Sequence, residues 1–166
     1  LLWLNLLTDG LLGLGMGFEP TARETMRRPP ISPKAGIFSD GMGRHVAWVG
    51  ALIGLLALGV GYFYWQQGLS QWQMMLFNTL AFAQVGQALA SRSNREPLWH
   101  IGLFSNRPLL LLLVVVVAAQ VAVLLLPALE RFFYTEPLRA LDWAITIGLG
   151  FVVYGALEVE KLLLRR

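Results

Sequence analysis

The chain has 166 residues, of which 56% are hydrophobic and only 14% are charged, and its formal net charge is +3. Soluble domains usually carry about 25% charged residues, so this composition excludes an ordinary water-soluble domain and indicates a membrane protein. The lack of cysteine excludes disulfide bonds and thiolate metal sites.

The first hydrophobic stretch, residues 1–18, is nearly as long as the roughly 20 apolar residues that a membrane-spanning helix needs. It ends at Phe18-Glu19-Pro20. It has no basic leader and carries Asp9, features that argue against a signal peptide. Because it begins without Met in the middle of a hydrophobic run, we expect the chain to be a piece of a longer polypeptide, starting inside a membrane helix.

Three hydrogen-bonding residues interrupt this stretch: Asn5, Thr8 and Asp9. Their i, i+3 and i+4 spacing places them on one face of an α-helix. A carboxylate at the bilayer centre costs roughly 2.5–3.5 kcal/mol on insertion scales, so such a residue usually serves a function. Together they offer only hard oxygen ligands, which suit Ca²⁺, Mg²⁺, Mn²⁺ or alkali cations. The spacing therefore predicts a cation site.

Several glycines follow this polar group and weaken the helix. An unwound segment would free backbone carbonyls as further ligands where it lines a cavity. The alternative is that the glycines only allow tight helix packing, while Asp9 pairs with a basic residue elsewhere. In both cases the three polar side chains are too few for a cation's coordination shell, so helices outside this chain would have to contribute. The glycines are Gly10, Gly13, Gly15 and Gly17.

The next segment, residues 19–45, is rich in Pro, Gly and polar residues. Pro29-Pro30 forces an extended backbone, and the segment is too polar to enter lipid. We expect an ordered cytoplasmic loop along the membrane face; the alternative is a flexible linker.

The rest of the chain, 46–166, predicts four more membrane helices joined by short loops, at about 46–65, 72–90, 109–126 and 141–157. The predicted fold is thus an all-α membrane protein with five transmembrane helices. Gly50 and Gly54 form a GxxxG pair, which indicates a close-packing face. Asp142 begins the last helix and is expected to cap it.

The third predicted helix contains two more candidates for the cation site, Gln84 and Gln87, which are i, i+3 neighbours. Neutral amides within a span commonly form interhelical hydrogen bonds. The alternative is direct cation ligation. Residue spacing leaves both open.

The distribution of basic residues predicts the orientation of the chain. Of the 13 basic residues, 11 lie in three segments: the first connection between helices (19–45), the third connection (91–108) and the C-terminus. Positive residues stay on the cytoplasmic side, so the first helix runs inward and the C-terminus is cytoplasmic. His45 and His100 lie in these basic connections and are expected to be solvated or interfacial. Glu158, Glu160 and Lys161 are expected where the last helix leaves the membrane.

Several other functions find no support. No Walker-type glycine loop, GxSxG elbow or HExxH sequence is present. The basic residues are scattered at membrane margins, so we expect no nucleic-acid partner. Two functions fit these features: a non-enzymatic five-helix subunit or scaffold, and a secondary transporter with Asp9 as its protonatable group. No inverted repeat supports the transporter.

Specific sequence stretches resemble one family. LLWLNLLTDGLLGLGMGFEP followed by MRRPPISPK resembles the sixth membrane helix and following cytoplasmic loop of calcium-pump-like P-type ATPases. FAQVGQALASRS resembles the family's eighth helix, SNRPLLL its entry to the ninth, and Glu158-x-x-Lys161 its C-terminal signature. The chain is therefore similar to helices six to ten of a ten-helix transport domain.

The resemblance implies that Asn5, Thr8 and Asp9 ligate the transported cation. Gln84 aligns with the acidic eighth-helix ligand of two-site calcium pumps and is neutral here. This departure favours one site, for Ca²⁺ or Mn²⁺.

The resemblance also implies a coupling role for the loop at 19–45, where Arg28, Pro29 and Pro30 match the family's motif. Mg²⁺ and ATP would bind the parent enzyme outside this segment. The implied partners are the lipid bilayer and the remaining helices and cytoplasmic domains of the parent pump. The expected location is the plasma membrane of a prokaryote, as an integral multi-pass protein.

Overall fold

The computed structural model describes residues 5–20, 36, 38, 41–93, 96–126, 129 and 136–164, without the side chains of Asn5, Leu7 and Leu164. Every regular element in this part of the chain is helical, which confirms the all-α prediction there. The elements are a π-helix, Asn5–Leu11, that continues into α1, Leu12–Met16; α2, Met42–Gln66; α3, Trp72–Ala90; α4, Leu98–Ile101; a 3₁₀ turn, Leu103–Ser105; α5, Arg107–Leu125; and α6, Ala140–Leu164.

Three of the described helices, α2, α5 and α6, are long and apolar enough to cross a membrane. Helix α3 has the bounds predicted for the third span, but its Asn78, Gln84 and Gln87 make it less apolar. The first predicted span is described only from Asn5 onward. The structure therefore supports three of the five predicted spans and leaves the other two as predictions.

The three apolar helices each turn large hydrophobic side chains outward. Leu55 of α2, Leu111 of α5 and Phe151 of α6 are between 65% and 72% exposed within the chain. Apolar exposure on this scale is typical of a surface that meets lipid or another helix. It supports a membrane bilayer as the surroundings.

Helix α3 lies at the centre of the fold, between two apolar clusters. One cluster joins it to α2 and α6, and its buried residues are Val49, Ile53, Ala83, Ala90, Val153 and Leu157. The other joins it to α1 and α5, and its buried residues are Leu12, Ala88, Leu109 and Val116. The first helix is therefore held in place through α3 and α5.

Helices α3 and α6 approach each other most closely at two glycines. A Cβ added to Gly86 would collide with the carbonyl oxygen of Gly150, and one added to Gly150 would lie 2.7 Å from the carbonyl oxygen of Phe82. Small residues let helix backbones come this close. By contrast, no described atom lies within 4 Å of a Cβ at Gly50 or Gly54. The predicted GxxxG contact is therefore wrong for the described residues, because α2 packs against α3 through a different face.

A chain of buried hydrogen bonds also ties α3 to its neighbours. Gln120 of α5 donates to the Asn78 carbonyl oxygen at 3.1 Å, and the Asn78 amide donates to the Thr146 hydroxyl at 2.9 Å. All three side chains are buried. In an apolar environment an unpaired polar group is costly, so these pairings fix which faces of α3, α5 and α6 meet.

Asp142 caps α6 in a way that differs slightly from the prediction. The helix begins at Ala140, so Asp142 lies inside its first turn. Its carboxylate reaches back to accept the backbone N–H of Arg139 at 2.9 Å, as the acidic residue of a capping box does. The other carboxylate oxygen accepts the hydroxyl of Tyr64 from α2.

The last helix is longer than predicted, because it continues past residue 157 to Leu164. Lys161 pairs with Glu158 at 2.8 Å across one turn, and both side chains are largely buried. Glu160 contacts His45 Nδ1 at 2.8 Å. His45 therefore lies in the first turn of α2 and pairs with α6, so its predicted place in the connection is wrong, while an interfacial position stays a prediction. His100 is exposed, as predicted.

Candidate cation site

The polar group of the first helix lies in a π-helical segment, Asn5–Leu11. The spacing was interpreted with α-helical geometry, whereas the backbone here is π-helical, and a face shared by Asn5 with Thr8 and Asp9 stays a prediction. Gly10 lowers the stability of the α-helical bonding pattern by about 1 kcal/mol relative to Ala, which makes a wider turn accessible. π-Helical turns are rare and occur frequently at functional sites.

Thr8 and Asp9 nevertheless converge on one side chain of α3, Gln84. The Thr8 hydroxyl donates to the Gln84 amide oxygen, and the Gln84 amide nitrogen donates to Asp9 Oδ1 at 3.2 Å. Thr8 is 2% exposed, Gln84 is half-buried, and Asp9 is exposed. We call Thr8, Asp9 and Gln84 the candidate cation site.

The packing just beyond this site fixes the first helix against α3 and α5. Leu12 packs in one cluster with Ala88 and Leu109. A Cβ at Gly15 would lie 2.7 Å from Leu109 Cδ1 and 3.0 Å from its Cα, so α5 can approach only because residue 15 is glycine. The position of Thr8 and Asp9 therefore depends on both neighbouring helices.

The described contacts do not place the other predicted site residues in this arrangement. The half-buried Gln87 makes no hydrogen bond to Thr8, Asp9 or Gln84 among the described contacts. The Asn5 side chain lies outside the described residues, as do Arg28, Pro29 and Pro30 of the predicted coupling loop. Their roles remain predictions.

The described site offers a carboxylate, a hydroxyl and an amide oxygen, all hard ligands. Ca²⁺ takes six to eight oxygen ligands, so this set is incomplete by itself. The described residues contain no group of three or more His, Asp or Glu side chains placed to hold a metal. They also provide no basic partner for Asp9, whose carboxylate has only the hydrogen bond from Gln84 among the described contacts. Asp9 thus presents its charge on a face that α3 and α5 leave open.

The structure also reveals buried polar residues that were not singled out in the sequence. Arg92, one of the basic residues of the third connection, is 7% exposed and pairs with Glu19 at 2.9 Å. Asn106 is 2% exposed and caps α5, accepting the backbone N–H of Leu109 at 2.9 Å. A signal for Asn106 was present, because Asn shortly before a Pro at the start of an apolar run is typical of a helix N-terminus. No local signal marks Arg92 as buried.

Comparison with known proteins gives matches along nearly the whole chain. Residues 1–163 match the family described as "Cation transporting ATPase, C-terminus". The sequence is 32% identical to "Calcium-transporting ATPase type 2C member 2" of Mus musculus, over 98% of this chain and 18% of that protein. It is 30% identical to "Calcium-transporting ATPase" of Bacillus subtilis, over 97% of this chain and 19% of that protein. The chain thus spans less than a fifth of the length of these curated relatives.

Proposed function

The chain belongs to the family of cation-transporting ATPase C-termini, and we propose that it is the C-terminal membrane part of an ATP-driven cation pump whose first helix supplies ligands to the transported ion. The observation that carries this proposal is the meeting of Thr8 and Asp9 with Gln84 at a π-helical turn. The ion is the substrate of the pump and would enter this site from outside the chain.

The surroundings of the Asp9 carboxylate support ion binding over a purely structural role. A carboxylate held within a membrane is costly unless another charge compensates it. Among the described residues Asp9 has one amide hydrogen bond and no cationic partner. A bound cation would supply the missing charge, and oxygen ligands from the remaining helices of the parent protein would complete its shell.

The neutrality of Gln84 supports a single high-affinity site. Its amide already bridges Thr8 and Asp9, so it adds an oxygen ligand to their site without adding a second negative charge. Ca²⁺ binding is tuned by the number of charged ligands. We therefore propose one ion per cycle, with Ca²⁺ or Mn²⁺ as the substrate.

The other parts of the proposal concern the parent protein. Mg²⁺ and ATP would bind in domains outside this chain, and the segment 19–45 would transmit phosphorylation to the membrane through Arg28, Pro29 and Pro30. The C-terminus would be cytoplasmic, since the first and third connections and the C-terminus carry most of the basic residues. In a prokaryote the membrane would be the plasma membrane.

The function can be tested by measuring phosphorylation of the intact parent protein by ATP as a function of added ion. We expect Ca²⁺ or Mn²⁺ to activate phosphorylation, and Na⁺ or a change of pH alone to leave it inactive, because the hard-oxygen site carries a carboxylate suited to a divalent ion. Phosphorylation that needs no cation, or no phosphorylation at all, would contradict the pump and favour a non-enzymatic membrane subunit.

The single-site proposal makes a separate prediction about stoichiometry. We expect radioactive ion bound at saturation, divided by phosphoenzyme formed, to give one ion per phosphorylated protein. The physical reason is that Thr8, Asp9 and Gln84 provide one negative charge between them. A ratio of two would show that the neutral side chain of Gln84 does not limit loading.

A further inference from the structure

A buried charged cluster connects the end of the first helix to the turn before α5. Arg92 Nε and Nη2 donate to the Glu19 carboxylate at 2.9–3.2 Å. Arg92 Nη1 donates to the carbonyls of Gly102 and Leu103, each at 3.2 Å, and Nη2 also donates to the Ser105 hydroxyl. One guanidinium therefore joins the first helix, the end of α3 and the turn before α5.

Asn106 provides a second attachment for the same end of the first helix. Its side-chain amide donates to the Gly15 carbonyl at 3.0 Å and to Glu19 Oε2 at 2.7 Å. Its amide oxygen simultaneously caps α5. We call Glu19, Arg92 and Asn106 the clamp.

The clamp and the candidate cation site join the same two elements at different heights. Thr8 and Asp9 meet Gln84 of α3 at one level, and Glu19 meets Arg92, just beyond the end of α3, at the other. The first helix and α3 therefore run parallel. A displacement of the first helix at the clamp would move Thr8 and Asp9 relative to Gln84.

The first helix needs such an external attachment. Its α-helical part is only the five residues of α1, which include Gly13 and Gly15, and Gly17 follows. Each glycine weakens a helix by about 1 kcal/mol relative to Ala, so the segment has little stiffness of its own. A buried ion pair often adds little net stability, but the planar fork of Arg fixes its partners in direction and distance. The geometry of the clamp thus suits positioning better than stabilisation.

We infer that the clamp holds the first helix in the position at which Thr8 and Asp9 face Gln84, and that Arg92 is a positioning residue for the ion site. Arg92 acts through Glu19 and does not touch the ion. This inference rests on the proposed function, because it assigns the clamp to that same site.

The position of the first helix can be measured without ion or ATP. Leu12 and Ala88 lie in one apolar cluster between the clamp and the site. Leu12→Cys with Ala88→Cys, in the intact parent protein with its other cysteines replaced, should cross-link efficiently on oxidation. Adding Arg92→Gln should lower the yield of this cross-link by about tenfold. Without its attachment, the first helix is expected to leave the position in which residues 12 and 88 lie close together.

The second measurement is the ion concentration that gives half-maximal phosphorylation of the intact protein. We expect Arg92→Gln to raise this half-maximal ion concentration by about tenfold, with little change in the maximal amount of phosphoenzyme. A tenfold change in affinity is about what one charge-assisted hydrogen bond contributes. A merely structural role would lower the amount of active protein and leave the half-maximal concentration unchanged.

Ser105→Ala is the matched control. It removes one hydrogen bond from Arg92 but leaves the link between Arg92 and Glu19 intact, so both measurements should match the wild type. An equal shift in Ser105→Ala would overturn the inference, because the effect would then come from general packing of the cluster.

Arg92→Gln leaves Glu19 without its counterion, so the variant could fail to fold. Glu19→Gln with Arg92→Gln removes both charges, and the same shifts are expected because two amides do not reproduce the fork. A folded variant whose cross-linking yield and half-maximal ion concentration both equal those of the wild type would overturn the inference. If the wild-type protein shows no ion-dependent phosphorylation, the proposed function fails, and the cross-linking result separately decides whether the clamp positions the helix.

Discussion

Asp9→Asn in the intact parent protein is expected to abolish ion-dependent phosphorylation by ATP at the ion concentrations that just saturate the wild type. The substitution keeps the size of the side chain and one oxygen but removes the only negative charge of the candidate cation site. The free energy of ion binding must at least offset the roughly 2.5–3.5 kcal/mol that a carboxylate costs within the bilayer. Loss of about 3 kcal/mol corresponds to a fall in ion affinity of about 100-fold. Phosphorylation measured across a wide range of ion concentrations checks this expectation.

Asp142→Asn is the matched control for this prediction. Asp142 is likewise an Asp within a membrane helix, but it is buried and its oxygens are occupied by the Tyr64 hydroxyl and the Arg139 backbone N–H. An amide oxygen can accept one of these hydrogen bonds, so the half-maximal ion concentration should stay at its wild-type value. If Asp9→Asn retained normal ion dependence while the control was folded, Asp9 would not belong to the ion site.

Gly86→Ala is expected to destabilise the intact protein strongly. The new methyl group would overlap the Gly150 carbonyl oxygen and also lie 3.4 Å from the Tyr154 backbone nitrogen. Overpacking typically costs 1–3 kcal/mol, and here the collision is with backbone, which cannot turn away as a side chain can. We therefore expect a loss of about 3 kcal/mol, seen as a lower thermal unfolding midpoint in detergent.

Gly148→Ala tests whether this loss comes from the close approach of the helices. Gly148 lies on α6 near Gly150, yet no described atom lies within 4 Å of a Cβ at this position. Alanine is favoured over glycine in a helix by about 1 kcal/mol, so this variant should be as stable as the wild type or more so. Equal unfolding midpoints for both variants would mean that α3 and α6 do not meet at Gly86.

The composition and hydrophobic pattern predicted helices and their approximate places because these are local properties. A run of apolar residues without charge favours a buried helix wherever it lies, and α2, α3 and α5 begin and end within a few residues of the predicted bounds. Helix α6 was underestimated because its last turns carry Glu158, Glu160 and Lys161. Hydropathy treats these residues as solvated, whereas the structure pairs Glu158 with Lys161 and Glu160 with His45.

For the candidate cation site, the polar residues could be predicted from the sequence, but their contacts could not. An Asp and a Thr in an apolar run are visible in the sequence, and so is a Gln in a later run. How the first helix lies against α3 decides that Thr8 and Asp9 meet Gln84, whereas no described hydrogen bond joins them to Gln87. Residue spacing also suggested an α-helix at Asn5–Leu11, where the backbone forms a π-helix instead.

By itself, then, the sequence determined that this is an all-helical membrane chain of the cation-transporting ATPase C-terminus family, with an acidic residue in its first helix. Only the tertiary structure decided that Arg92 is buried against Glu19, that Gly86 meets Gly150, and that no described residue packs against Gly50 or Gly54. The physical reason is that hydropathy and spacing are fixed along one segment. Burial of a charge or close approach of a glycine is a property of two segments brought together.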